Sequence, residues 1–319
     1  MRAVVFMLVA ALAAATAHAQ GYPTKPVRLI VPSTPGGSVD TVARTVGQKL
    51  SERWGQQVVV DNRTGAGGGI AAMAVAKAPP DGYTLVLGTV VAFAINMSMQ
   101  KNPGYDPLRD FEPVSLIGTQ DLMLLIHPSA PARSVKELVA FAKRKPGQLS
   151  YASAGNGTMG HLSGELFKRL AGIDLLHVPY RGVSSLLVDV ASGEVSMTFA
   201  SLLAGSTYAS SGRLRALAVT GTKRSSKVPE LPTMSEAGVR GYESSTWYGI
   251  LAPARTPQPV VSTLNAGINA AVQHPDVRER LAQDGINVSG STPRQFGDHI
   301  AAEIRKWAQV IKAAGITLQ

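Results

Sequence analysis

Two stretches of the chain share one plan, and that plan fixes the fold class. Val27–Val31, "VRLIV", is followed by the loop "PSTPGGS". Apolar residues then recur at helical spacing: Val39, Val42, Ala43, Val46 and Leu50. Leu149–Ser153, "LSYAS", is likewise followed by "AGNGTMG" and by a helical run over His161–Leu170. A short apolar run between turn signals reads as a buried strand, and apolar residues every three or four read as an amphipathic helix. Strands alternating with helices imply a parallel sheet covered by helices.

The alternation occurs in two series. In the first, Gly55 stops the opening helix after Trp54. "QQVVVDN" gives a second strand, "RTGAGGG" leads to a helix over Ile70–Ala78, Pro79–Gly82 turns, and "YTLVLGT" is a third strand. "FEPVSLIGTQDLMLLIHPSA" then holds two apolar runs with no helix between them, which predicts a crossing into another unit. The second series comprises a helix over Ser134–Arg144 with Ser134 and Glu137 as a capping-box pair, then Leu149–Ser153, His161–Leu170, "IDLLHVPY", a helix over Val183–Ala191, and the strands "VSMTFAS" and "LRALAVTG". "STWYGILAPA" returns to the first unit. Two helices finish the chain, one carrying Val261, Leu264, Ile268 and Val272, the other Phe296, Ile300, Ile304, Trp307 and Ile311 before Gly315. The expected division is residues 20–122 with 246–319 as domain 1 and 123–245 as domain 2. The cleft between them lies at the strand ends, where open α/β sheets place ligands.

The first nineteen residues read as a secretory signal: Met1-Arg2, an uncharged apolar run over Ala3–Ala15, and an A-x-A ending that predicts cleavage after Ala19. Export to the periplasm removes the cytosolic nicotinamide pool. With no cysteine in the chain, the fold must rest on its core alone. The formal charge is +10. It falls to +9 without Arg2, and the basic residues are scattered as solvated helix ends and turns, so no nucleic-acid partner is expected.

Each unit therefore offers one glycine-rich loop ahead of a helix. Glycine lets the backbone approach a ligand. The first N–H groups of a helix have no internal partner, and the helix dipole adds positive potential there. Such a loop cradles carboxylate or phosphate. Gly155, Gly157 and Gly160 spell G-x-G-x-x-G, but the acidic residue that should close the next strand is missing: Asp174 begins "IDLLHVPY" and Tyr180-Arg181 end it. "GAGGGIAA" also lacks that partner and reads as close packing supported by Asn62 and Arg63. Asp40, in the first turn of its helix, is expected to cap loop N–H groups and to pair with Arg44. His161 is placed either to donate to a carboxylate or to bond its own loop. Arg181 reaches either the cleft or the surface. No zinc pattern and no G-x-S-x-G elbow are present, and no cofactor is expected. A hydrolase or transferase would need a nucleophile beside a base, and Ser153 near His161 is the one pair on offer.

"YPTKPVRLIVPSTPGGSVDTVAR", "VVVDNRTGAGGGIAA", "PPDGYTLVLG", "YASAGNGTMGHLSGELF", "HVPYRG", "VPELPTMSEAG" and "PDVRERLAQDGI" follow in this order. Together they resemble the Bug proteins, the extracytoplasmic solute receptors of tripartite tricarboxylate transporters, over about Tyr22 to Leu318. The resemblance implies a two-domain α/β flytrap of the type II periplasmic-binding-protein class, mainly parallel in each domain, with two crossing strands. It implies a protein that captures a small mono- or dicarboxylate and presents it to membrane subunits, without catalysis; a monomer is the simplest expectation. Carried over position by position, the ligand-binding residues are Ser33, Thr34, Pro35, Gly36, Gly37 and Asp40 from the first loop and Ser153, Asn156, Gly157, Thr158 and His161 from the second, with Thr89 and Ser201 at two further strand ends. Ser33 stands where proteins of this kind usually carry an aromatic residue, which implies a more open or more polar wall. A receptor of the same fold serving a sensor or an ABC system is the alternative.

Overall fold

The computed structural model describes residues 21–316 apart from residue 181, so the export segment and Arg181 lie outside the described residues. The first series folds as β1 (Val27–Val31), α1 (Ser38–Trp54), β2 (Val58–Asn62), a 3-10 turn over Ala66–Gly68, α2 (Gly69–Ala76) and β3 (Thr84–Thr89). β1 lies between β2 and β3 and runs parallel to both, pairing Val27 with Val58 and Arg28 with Thr84. Val42, Ala43, Val46 and Leu50 turn the apolar face of α1 onto this sheet, and Gly55 in the left-handed conformation ends the helix. After β3 a wide helical turn over Val91–Ile95 continues into α3 (Asn96–Met99).

β4 (Phe111–Ile126) is one continuous strand of 16 residues, where the sequence suggests two runs. Phe111–Asp121 pair antiparallel with the returning strand, and Leu122–Ile126 pair with a strand of the second series. That series comprises α4 (Val135–Arg144), β5 (Ser150–Ser153), α5 (Met159–Ala171), β6 (Leu176–Pro179), α6 (Val183–Ser192), β7 (Met197–Ser201), α7 (Leu202–Ser210) and β8 (Arg215–Val219). β5 is parallel to β6 and β7, and β7 is antiparallel to β4. β9 (Ser245–Pro253) then returns between β3 and β4, antiparallel to both. α8 (Gln258–Gln273), α9 (Pro275–Gln283), β10 (Ile286–Val288) and α10 (Pro293–Ala314) close the chain. Each unit thus has a three-stranded parallel centre, joined through the antiparallel strands β4 and β9 in a path β2-β1-β3-β9-β4-β7-β5-β6.

Several details depart from the sequence reading. Among the described residues three helices, not two, follow β9. His274 is extended because the residue before Pro275 is driven out of the helical region, so α8 breaks and α9 begins. Ser134 does cap α4 by accepting from the Glu137 amide. The Glu137 carboxylate, however, accepts from Arg133 N–H at 2.7 Å rather than closing a box with Ser134. A complete box forms instead at Thr292 and Gln295.

The crossing strands and α10 share one core. Phe296, Ile300, Trp307 and Ile311 of α10 are buried, and the Phe296 and Trp247 rings meet edge to face with centroids 5.5 Å apart. Gly249 of β9 faces the Phe296 ring with no room for a methyl group. Gly249→Ala should therefore destabilise the protein by about 1–3 kcal/mol through overpacking. Phe296→Leu in the same chain should recover part of that loss, as read by urea unfolding.

Candidate binding site

The first loop, between β1 and α1, is built on a buried carboxylate. Asp40 Oδ2 accepts from Gly36 N–H and from Arg44 Nε, both at 2.9 Å, and Oδ1 accepts from Asn62 Nδ2 at 2.9 Å. Burial works to raise this carboxyl, but those hydrogen bonds outweigh it and hold it below the ordinary range. Asn62 also donates to Ser33 O at 2.9 Å, which ties the end of β2 to the loop. Gly36 needs its positive φ of 91° to turn its N–H inward. Thr34, Pro35, Gly36 and Gly37 remain exposed at the N-terminus of α1, and Gly37 provides no side-chain cap. Ser33 Oγ is buried without a hydrogen-bond partner among the described residues.

The second loop, between β5 and α5, is held more tightly. Thr158 caps α5, donating to Gly155 O at 2.7 Å and accepting from His161 N–H at 3.5 Å. Gly157 N–H donates to His161 Nδ1 at 3.1 Å, so of the two readings of His161 the loop bond is present. Burial pushes the His161 imidazole down to about 4, reinforced by His177 and Lys168. Ser153 does not pair with His161. Its Oγ lies 2.7 Å from His177 Nε2 and is almost wholly buried, which corrects the Ser153–His161 pair expected for a hydrolase. The geometric reason is that His161 has its Nδ1 committed to Gly157, while β6 pairs beside β5 and places His177 opposite Tyr151.

The two units meet across a cavity of about 350 Å³. Ala66, Gly67, Val91, Ile95, Asn96, Met99 and Gln100 line one side, and Asn156, Gly157 and Thr158 the other. Sequence reasoning found the second group and missed the first. Asn96 anchors the glycine turn by donating to Ala66 O at 3.0 Å and Gly67 O at 3.2 Å. That turn is indeed closely packed, because Cβ atoms on Gly67 and Gly68 would press on Asn96 and on Pro32 and Ala92. The available signal was the unbroken apolar run after β3, which has no strand partner and needs a wall to cover. Ser33–Gly37 and Asp40 do not line this cavity; Pro32, at the head of their loop, abuts Gly68 beside it. Thr89 and Ser201 are N-terminal caps, accepting from Ala92 and Ala204 N–H at 3.4 Å each.

Among the described residues none that lines the cavity is charged, so these residues would meet an anion with backbone N–H groups and side-chain amides. Three guanidinium groups of the first unit are engaged by carboxylates: Arg44 by Asp40, and Arg28 and Arg63 by Asp61. Among the described residues no cluster of His, Cys, Asp or Glu could hold a metal ion.

Comparison with known proteins fits this geometry. A family model described as "Tripartite tricarboxylate transporter family receptor" matches residues 42–316. The chain is 38% identical to Protein BugT of Bordetella pertussis over 307 residues, covering 96% of this chain and 94% of that one. It superposes on the solved structure of R. palustris Rpa4515 with adipate with a TM-score of 0.77 and 40% identity, covering 93% of this chain and 100% of that one. For MatC from Rhodopseudomonas palustris with bound malate the TM-score is 0.72 and the identity 31%, covering 91% and 100%.

The His161 environment sets a pH dependence. The unfolded chain protonates this imidazole near its ordinary 6.5, the folded chain only near 4. Between those values the unfolded state binds more protons, so stability rises with pH and is lost as pH falls from about 6.5 toward 4. One group contributes at most about 1.4 kcal/mol per pH unit. Urea unfolding at pH 4.5 and 6.5 should show a smaller difference in His161→Gln, which keeps an acceptor but no longer titrates, than in the wild type.

Proposed function

We propose, for a chain that belongs to the tripartite tricarboxylate transporter receptor family, that the interdomain cavity captures a small organic carboxylate and that closure of the two domains over it presents the solute to the membrane subunits of the transporter. The observation that carries this reading is the uncharged cavity between the Ala66–Gly67 turn and the Asn156–Thr158 loop, with the N-terminus of α5 beside it. Backbone donors at a helix start bind a carboxylate without a counter-charge. Val91, Ile95 and Met99 supply an apolar wall for a methylene chain. Relatives solved with adipate and with malate support the same ligand class.

In this reading Asn156, Gly157 and Thr158 touch the ligand directly, and Ser33, Thr34, Pro35, Gly36 and Gly37 approach its far end as the cleft closes. Asp40, Ser153 and His161 hold the two loops rather than the ligand, and Thr89 and Ser201 cap the helical turns that follow their strands. The domains divide at residues 122/123 and 245/246. The receptor works in the periplasm as a monomer after cleavage behind Ala19; no helix among the described residues is long and apolar enough to cross a membrane. It is a receptor rather than an enzyme, in keeping with its family.

A thermal-shift series of C4–C6 mono- and dicarboxylates tests this. A ligand at 100 times its Kd should stabilise the protein by about 2.7 kcal/mol. Gly157 has φ +76°, and a Cβ there would come 2.7 Å from Met99 Cε, so Gly157→Val should remove the shift by filling the cavity. A shift with phosphate esters alone would contradict the proposal.

A further inference from the structure

His177 sits on β6, outside both glycine loops, yet it reaches the second loop at two points. The first is Ser153. Its hydroxyl lies 3.2 Å from Gly155 N, 3.1 Å from Gly155 O and 2.7 Å from His177 Nε2. One hydroxyl has one hydrogen and two lone pairs. The Gly155 amide donates to it, while the Gly155 carbonyl also accepts from the Thr158 hydroxyl at 2.7 Å. The shortest of the three contacts is the one to His177, and a hydrogen bond joins the Ser153 hydroxyl to His177 Nε2 whichever of the two carries the proton.

The second point is His161. Its Nδ1 accepts from Gly157 N–H, which places its own proton on Nε2. The His161 and His177 rings stack face to face, centroids 3.9 Å apart and planes within 8°. Tyr151 extends the stack, 4.8 Å from His177, and its hydroxyl donates to Glu165 Oε1 at 2.6 Å. The ionisable groups around the pair are Tyr151 on β5 and Glu165 and Lys168 on α5. Burial holds both imidazoles neutral at ordinary pH, with Glu165 and Lys168 opposing each other at His177. Two neutral rings can stack this closely; two imidazolium rings cannot.

We propose that His177 is a positioning residue for the binding loop: the hydrogen bond at its Nε2 fixes Ser153 and through it Gly155, while its ring face fixes His161 and through it Gly157. This deepens the receptor reading and rests on it for the loop's purpose. Gly155 and Gly157 have φ of 127° and 76°, conformations that a free loop would exchange for others. Pinning both leaves the amides of Asn156, Met159 and Gly160 without partners among the described residues, free to meet a ligand.

The experiment is amide hydrogen exchange by NMR on the mature chain, with adipate binding measured by titration in parallel. His177→Phe keeps the stacked ring and removes the hydrogen-bond partner of Ser153, so Gly155 should exchange about tenfold faster while Gly157 is unchanged. His177→Gln keeps a hydrogen-bonding group and loses the ring, so Gly157 should accelerate and Gly155 should not. His177→Ala should accelerate both and weaken adipate binding about tenfold or more. Acceleration spread equally over β5 and α5 in all three variants, or none at the two glycines, would overturn the positioning role. If the wild type binds neither adipate nor malate while the exchange pattern holds, the carboxylate assignment falls and the positioning role stands.

Discussion

β4 carries 16 residues through both units without a break, and the rest of the architecture is arranged around where it changes partners. Up to Asp121 it pairs with β9; from Leu122 it pairs with β7 and β8. An extended strand shared by two bodies allows them to rotate about it but not to slide past one another. Asp121 marks the junction, its carboxylate accepting from Ser245 Oγ at 2.7 Å and from Asn287 Nδ2 at 3.1 Å. Burial raises this carboxyl above its ordinary range. Gly221 lies against it with no space for a side chain, so the loop after β8 closes directly over the junction. The strand thereby ties the two units together along a single line.

Given this frame, recognition is left to groups that cost little to present. The carboxylate of Asp40 and the imidazole of His161 both accept from loop N–H groups and so fix backbone rather than ligand. Guanidinium groups of the first unit are spent on Asp40, Asn62 and Asp61. Among the described residues, what faces the cavity is neutral: amides, one hydroxyl and an apolar wall. A site of that kind can hold a carboxylate firmly through helix-end donors and still release it when the cleft opens, because no buried ion pair has to be broken. The excess positive charge of the chain lies elsewhere on its surface, where it can gather anions at long range.

Much of this was legible in the sequence because the strand–loop–helix units are local. The strand runs at Val27–Val31 and Leu149–Ser153, the stop at Gly55 and the stripe of α10 each follow from neighbouring residues. The cap by Asp40 was readable for the same reason, since its partners Gly36 and Arg44 lie four residues away on either side. Where the sequence fell short, the partners are distant. His177 is 24 residues from Ser153, and only the pairing of β5 with β6 brings them together. Asn96 meets Ala66 and Gly67 across 30 and 29 residues. α7, with its small and polar sequence "LLAGSTYAS", has too weak an apolar stripe to announce a helix, although Ser201 ahead of it is a regular cap.

The most direct test of the central claim is a titration of the isotopically labelled mature protein with adipate, malate and related C4–C6 carboxylates, followed by backbone amide NMR. The account predicts that one carboxylate shifts two groups of amides together, Gly36–Val39 at the start of α1 and Asn156–Gly160 at the start of α5, with a common Kd. Shifts confined to one loop, or appearing at Ser153 and His177 but at neither helix start, would contradict capture between the two loops.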